Sequence, residues 1–461
     1  MGKYKRDIGF WLGIIILLII WFMPTPAGLK VEGQKCLALS LFTVCWWAFG
    51  VAHSGFVAIL LLTGYVVAGV APPEVVFSLW TNPLVYLVIG GYLIAAAVQS
   101  SGLGKRIALN FIERYVRSYT NVIIGAYFLG LILSFLVPHP FPRAFLLMSV
   151  MAFVIKEANM PARDAASVGL AVFAGSAANS MVLLTGDSVL NVAAVGFSGQ
   201  TLSWLGWLLY MGVPGIIANI LMCLLHLIMF KPTGTFVLEK EKVREQLQAM
   251  GPMSTAEKKT LFWIAVAILL WATDSLHHIH PGWIAMFIAA VLTMPRIGDV
   301  LKPGDWTQVN MGVLLFLTAA LAIGKVGAYA GMNKWIADVL LPAQPPSNAL
   351  VFTLLATVVT VIVHMVLGSA LAVMGIVSPT LVGYATAAGI NPLVPALLVY
   401  TAVGVHWLLP FHLMNVLVGV GEAGGGRYGD AEVFRLGAPM TIVVFILVIV
   451  ETFWWKVVGL L

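Results

Sequence analysis

Long charge-free apolar runs recur along the chain and set the first limit on its fold. They include Ile8–Met23, Cys36–Ala52, Leu84–Val98, Val122–Val137, Leu202–Phe230, Met311–Ile323, Ala349–Val363 and Leu436–Val450. A helix needs roughly 20 apolar residues to cross a bilayer, and only backbone paired within itself can cross exposed to lipid. The runs predict an all-α polytopic protein embedded in the lipid bilayer. Charged residues are 10% of the 461, against about 25% in a globular protein. The net charge of +6 comes from lysines and arginines between the runs, so it reports membrane topology and no nucleic-acid partner.

The runs and their mildly polar flanks give about eleven transmembrane helices plus two re-entrant hairpins, at about 119–157 and 347–386. The predicted organisation is N-terminal scaffold helices 1–76, a first repeat 77–230, a cytoplasmic loop 231–259, linking helices 260–304 and a second repeat 305–461. With the N-terminus in the cytoplasm, nineteen lysines and arginines fall inside, five fall outside and Arg143 stays in the membrane. That bias predicts an inner (plasma) membrane protein with a cytoplasmic N-terminus and an outside C-terminus. No small-residue cleavage site follows the first apolar run, which reads as a retained helix. Cys36, Cys45 and Cys223 lie in or beside apolar runs without metal-ligand spacing and read as core residues.

One apolar region carries a stretch that cannot remain helical. Ser134–Met148 holds Pro138, Pro140 and Pro142 on alternate positions, with His139 and Arg143 among them. Prolines so spaced break a helix, and broken backbone inside a membrane must be buried in protein or line water. This is the expected tip of the first hairpin. A broken span follows, interrupted near Gly186-Asp187; the second hairpin breaks near Gly368-Ser369 and the span after it at Pro410. Residues 82–112 resemble 309–340, with Gly102 on Gly331, so the breaks occur in the same order in each half. Matching broken segments predict an inverted repeat with a site at the midplane. There Arg143 offers paired donors to an anion, and half-helix N-termini add positive dipole ends. Asp187 is expected to pair with Arg143 or to take a proton, and His139 and His412 titrate near neutral pH. Ser176, Asn179 and Ser180 are candidates for the wall. His364 and His406 read as core hydrogen-bonders, and His277, His278 and His280 as a solvated turn.

The block from Asn82-Pro-Leu-Val-Tyr to Gly102-Leu-Gly-Lys-Arg, the order of hairpin, span and break, and the RYGDAEVFRLGAPM segment before a Trp-rich span resemble the divalent anion/sodium symporter family. The resemblance covers Phe77 to the C-terminus. It implies homodimers in which scaffold domains flank moving transport domains. Family tips usually read Ser-Asn-Thr and hold sodium and substrate carboxylates. With Ser134 and Pro379 as anchors these positions fall on Pro138-His139-Pro140 and Ser369-Ala370-Leu371. The span breaks correspond to Gly186-Asp187-Ser188, with Asn191 nearby, and to the segment from Pro410 through His412 to Asn415. The candidate substrate residues are therefore Pro138, His139, Pro140, Arg143, Gly186, Asp187, Ser188, Ser369, Pro410, His412 and Asn415. The coupling candidates are Ser134, His139, Asp187, Asn191 and His412. With the tip asparagines gone, no sodium or other metal site and no cofactor is expected. The sequence reads as a secondary transporter of small divalent anions, dicarboxylates foremost, working by sodium-independent exchange or proton coupling. A sodium-coupled dicarboxylate or sulfate symporter and an anion channel on a transporter fold are the alternatives. No nucleophile–base pair or metal-ligand cluster supports an enzyme.

Overall fold

The computed structural model describes residues 2–342, 345–367, 369–409, 412 and 428–461. Among them all regular structure is helical. Helices α1 (Gly2–Phe22), α2 (Val31–Phe49) and α3 (Ser54–Val67) open the chain, and a short α4 (Pro73–Val76) leads to α5 (Pro83–Ser101) and α6 (Leu103–Tyr115). The first hairpin is α7 (Tyr119–Leu136) and α8 (Pro140–Glu157). The halves of the broken span are α9 (Ala162–Asn179) and α10 (Leu190–Ser198). Then come α11 (Trp204–Trp207), a π-helical turn Leu208–Gly212 and α12 (Val213–Met229). Between the halves lie α13 (Lys240–Ala249), α14 (Thr255–Ala272), α15 (Asp274–His277) and α16 (Pro281–Thr293). The second half holds α17 (Met311–Tyr329), α18 (Met332–Leu340), the hairpin of α19 (Ala349–Val366) and α20 (Ala370–Ala387), then α21 (Leu393–Val405) and α22 (Asp430–Val457). Among the described residues, seven helices are long and apolar enough to cross a membrane, with three shorter apolar ones beside them.

The halves use the same local devices in the same order. Asn82 caps α5 by accepting the Leu84 N–H, and Asn310 caps α17 by accepting that of Val313. Each helix then turns into an amphipathic one through a left-handed glycine, Gly102 at φ 82° and Gly331 at φ 79°, a conformation that costs a glycine nothing in sterics. Ser118 and Asn348 cap the outer hairpin arms, and His139 and Ser369 cap the inner ones. Small residues let backbones meet: a Cβ on Gly55 of α3 would stand 2.7 Å from Gly312 Cα of α17. The π turn frees carbonyls that the Trp-rich end of α22 takes up. Trp454 Nε1 donates to Leu209 O at 2.7 Å and Trp455 Nε1 to Tyr210 O at 3.0 Å.

The first hairpin occupies residues 119–157 as predicted, because its prolines leave no choice of break. Three points differ. The broken span leaves the α-helix at Asn179, ahead of the predicted Gly186-Asp187, so its irregular segment is longer. Loop 231–259 contains the helix α13, whose Val243 is fully buried. In the second broken span α21 ends at Val405; Pro410 and Asn415 lie outside the described residues. The α13–α14 connection is tied to α6: Arg106 Nε meets Glu257 Oε1 at 2.6 Å and Arg106 Nη1 donates to Gly251 O at 2.9 Å. Glu257 lies ahead of the apolar part of α14, and its hydrogen bond from Arg106 holds the carboxyl below the ordinary range.

Candidate functional site

Both hairpin tips and both span breaks reach one cavity of about 750 Å³. The first tip contributes His139, Pro140 and Pro142, the first break Asp187 and Val189, the second tip Ser369, Ala370 and Leu371, and the second break His412. The remaining polar wall comes from Ser54 of α3, from Tyr92 and Gln99 of α5 and from Gln308 and Asn310 ahead of α17.

Arg143 is not on this wall. Its side chain is fully buried behind the tip, and its two terminal nitrogens are spent on three backbone carbonyls and the Ser180 hydroxyl. Nη1 donates to Val137 O at 3.2 Å and Gly186 O at 3.1 Å; Nη2 donates to Ser176 O at 2.6 Å and Ser180 Oγ at 2.8 Å. These acceptors belong to the end of α7, to the last turn of α9 and to the irregular stretch after it. The breaks free carbonyls that need donors in a dry place, and the guanidinium fork supplies them. The expected pairing of Arg143 with Asp187 is accordingly absent among the described ion pairs. Asp187 turns instead to its own chain: Oδ1 accepts the N–H groups of Val189 at 2.9 Å and Leu190 at 3.0 Å and starts α10.

Several other predicted residues build the break without facing the cavity. Asn191 Nδ2 donates to Ser180 O and Leu183 O, both at 2.8 Å, and so ties the irregular stretch to α10. Ser188 N donates to Pro138 O at 3.0 Å, joining the first break to the first tip. Gly186 and Ser180 approach closely: a Cβ on Gly186 would meet Ser180 O at 2.7 Å. Ser134 Oγ donates back to Leu131 O at 2.7 Å within α7. Asn179 Nδ2 donates to Tyr127 O at 2.8 Å and Gly175 O at 2.7 Å. Ser176, Asn179 and Ser180, expected on the wall, thus hold backbone behind it.

The wall carries positive potential through helix ends. The N-termini of α8 and α20 both open on the cavity. At α8 the prolines remove donors, and Phe141 N–H is taken by His139 Nδ1 at 3.2 Å. His139 Nε2 then carries the proton and points to Tyr92 Oη at 3.3 Å, with the two rings stacked. At α20, among the described residues, the Ser369 Oγ takes only the N–H of Ala372, at 3.4 Å, so the N–H groups of Ala370 and Leu371 are those an anion would take. His412 Nδ1 accepts the N–H groups of Leu408 at 3.0 Å and Leu409 at 3.3 Å. Sequence reasoning missed Tyr92, Gln99, Gln308 and Asn310. Tyr92 and Gln99 were findable as polar residues seven apart on one face of an apolar helix.

Residues 5–461 match the family described as the sodium:sulfate symporter transmembrane region. A Staphylococcus saprophyticus protein named sodium-dependent dicarboxylate transporter SdcS is 23% identical, with 87% of this chain and 83% of that one covered. A Bacillus subtilis protein named putative malate transporter YflS is 23% identical, with 97% and 95% covered. A Cupriavidus necator membrane protein is 26% identical over 98% and 93%. The crystal structure of the Alcanivorax borkumensis YdaH transporter aligns with a TM-score of 0.49 at 17% identity, covering 80% of this chain and 84% of that one.

Proposed function

The chain belongs to the sodium:sulfate symporter transmembrane family and is a membrane transporter of small anions, not an enzyme; from that premise we propose that it carries dicarboxylates by alternating access without using sodium. The observation behind this reading is the site of Arg143. Sodium sites in broken helices are made of backbone carbonyls and neutral side-chain oxygens. Val137 O, Ser176 O, Gly186 O and Ser180 Oγ form such a set, and the guanidinium of Arg143 fills it. A tethered cation attracts an anion at the tip but never leaves with it. It therefore replaces the charge of a bound sodium without drawing on a sodium gradient.

The remaining geometry suits a dianion. One carboxylate meets the α20 N-terminus and Ser369; the other meets His139 and Tyr92 at the positive end of α8. The relatives named for dicarboxylate and malate transport favour that class over sulfate. Asp187 lines the same wall. The driving force is then counter-substrate or protons. Sodium symport is the second reading, favoured by the printed name of the SdcS relative. Uptake of labelled malate into proteoliposomes, with choline as the main cation, tests the proposal. Accumulation driven by internal malate or by an inward proton gradient is expected, and Asp187→Asn should abolish the proton-driven part. No accumulation under either force, with recovery on adding sodium, would overturn it.

A further inference from the structure

Beside the second break stand three imidazoles that the proposed transport step does not use as a group. His364 comes from α19, His406 is the C-cap of α21 and His412 belongs to the segment after it. All three are fully buried. His364 Nδ1 and His406 Nδ1 are 3.2 Å apart, and one nitrogen from each of the three residues lies within 4.8 Å of the other two. The ring centroids of His364 and His412 are 4.4 Å apart, and those of His406 and His412 are 5.4 Å apart. In a tetrahedral zinc site with Zn–N of about 2.0–2.1 Å, ligand nitrogens stand about 3.3 Å from each other. One edge of the cluster already has that length; the other nitrogens lie within 4.8 Å, and one of the stacked His364 and His412 rings must turn to bring both lone pairs onto one ion. Among the described residues, Nε2 of His364 and Nε2 of His406 are buried without a hydrogen-bond partner. With Nδ1 of His364 and His406 facing each other at the ion, these Nε2 atoms carry the ring protons and are not ligands.

We propose that His364, His406 and His412 form a binding site for a divalent transition-metal ion. Neutral imidazoles select zinc, copper, nickel or cobalt; calcium and magnesium want oxygen ligands. His412 also lines the cavity, so the ion's remaining charge is balanced from that side by hydroxide or by an anion. Taking the lone pair of His412 Nδ1 withdraws the acceptor used by Leu408 N–H and Leu409 N–H. Occupancy is thereby linked to the shape of the second break. If the chain transports anions as proposed, this ion is the fixed cation of the second half, as Arg143 is of the first. Metal binding itself does not depend on that reading.

The test uses the full-length protein without a histidine tag, stripped with chelator, loaded with zinc and passed through gel filtration. Cobalt titration supplies a second readout. The partly exposed turn with His277, His278 and His280 is a competing site, so it is replaced by alanines in a parallel protein. The expected result is one zinc per chain in both proteins and, with cobalt, the d–d absorption of a four-coordinate ion. His364→Ala and His406→Ala should each weaken zinc binding by more than about tenfold, and His364→Gln should do the same while keeping the volume of the side chain. Zinc retained by neither protein, zinc lost with the partly exposed turn, or unchanged affinity in the His364 and His406 variants would overturn the proposal. Failure of malate transport would leave these metal readings unaltered.

Discussion

At the scale of residues, the structure moves Arg143 from the substrate to the scaffold of the site. Its donors answer oxygens at two interruptions, the first hairpin tip and the first span break, and each buried acceptor left unpaired costs about 1–3 kcal/mol. Arg143→Ala should therefore lower thermal stability sharply and weaken malate binding through loss of the tip's shape. Arg143→Lys should keep part of both, because an ammonium brings a charge and three donors to the same oxygens. The decisive readout is ionic. Emptied of the guanidinium, the carbonyl set of Arg143→Ala should bind sodium, so sodium chloride should raise its melting temperature relative to choline chloride while leaving the parent unchanged. Equal melting of Arg143→Ala in both salts would refute the cage. The sequence placed Arg143 at the tip but not its partners. Val137 is near in the chain, whereas Ser176, Ser180 and Gly186 come from the first span break, whose irregular stretch no local pattern outlines.

At the scale of elements, the breaks that proline or glycine enforces were legible. The hairpin of α7 and α8 follows from Pro138, Pro140 and Pro142, and the turn after α5 from Gly102. The early end of α9 was hidden because residues 176–181 read as small helical residues; what ends the helix is the tertiary pull of Arg143 and Asn191 on its carbonyls. Helix α13 was hidden because a short polar helix anchored by one buried Val243 leaves almost no apolar period. Its connection to α14 depends on Glu257 and carries a pH signature. Arg106 depresses the folded-state carboxyl, so the stabilisation is present above the unfolded-state value of about 4.5 and is lost as pH falls through the folded value. The parent should exceed Glu257→Gln in melting temperature at pH 7, and the gap should shrink toward pH 4. A gap that stays constant with pH would show that the Arg106 pair contributes nothing through charge.

At the scale of the molecule, the repeat was legible as an order of interruptions, and the convergence of those interruptions on one cavity is what that order means in space. Of the polar wall residues outside the breaks, Gln308 and Asn310 were not legible, since neither proline nor charge marks them. The excess of lysine and arginine on one side predicts that loop 231–259 is cytoplasmic and Leu461 is outside. A reporter fused after Leu461 should report the outside, and a cytoplasmic signal would refute the odd number of spans. The central claim is that Arg143 stands where a sodium ion would, and calorimetric binding of malate to the purified protein tests it most directly. Affinity in sodium chloride and in choline chloride at equal ionic strength should agree within about twofold, a difference of about 0.4 kcal/mol. A saturable gain of about tenfold or more with sodium would contradict the account.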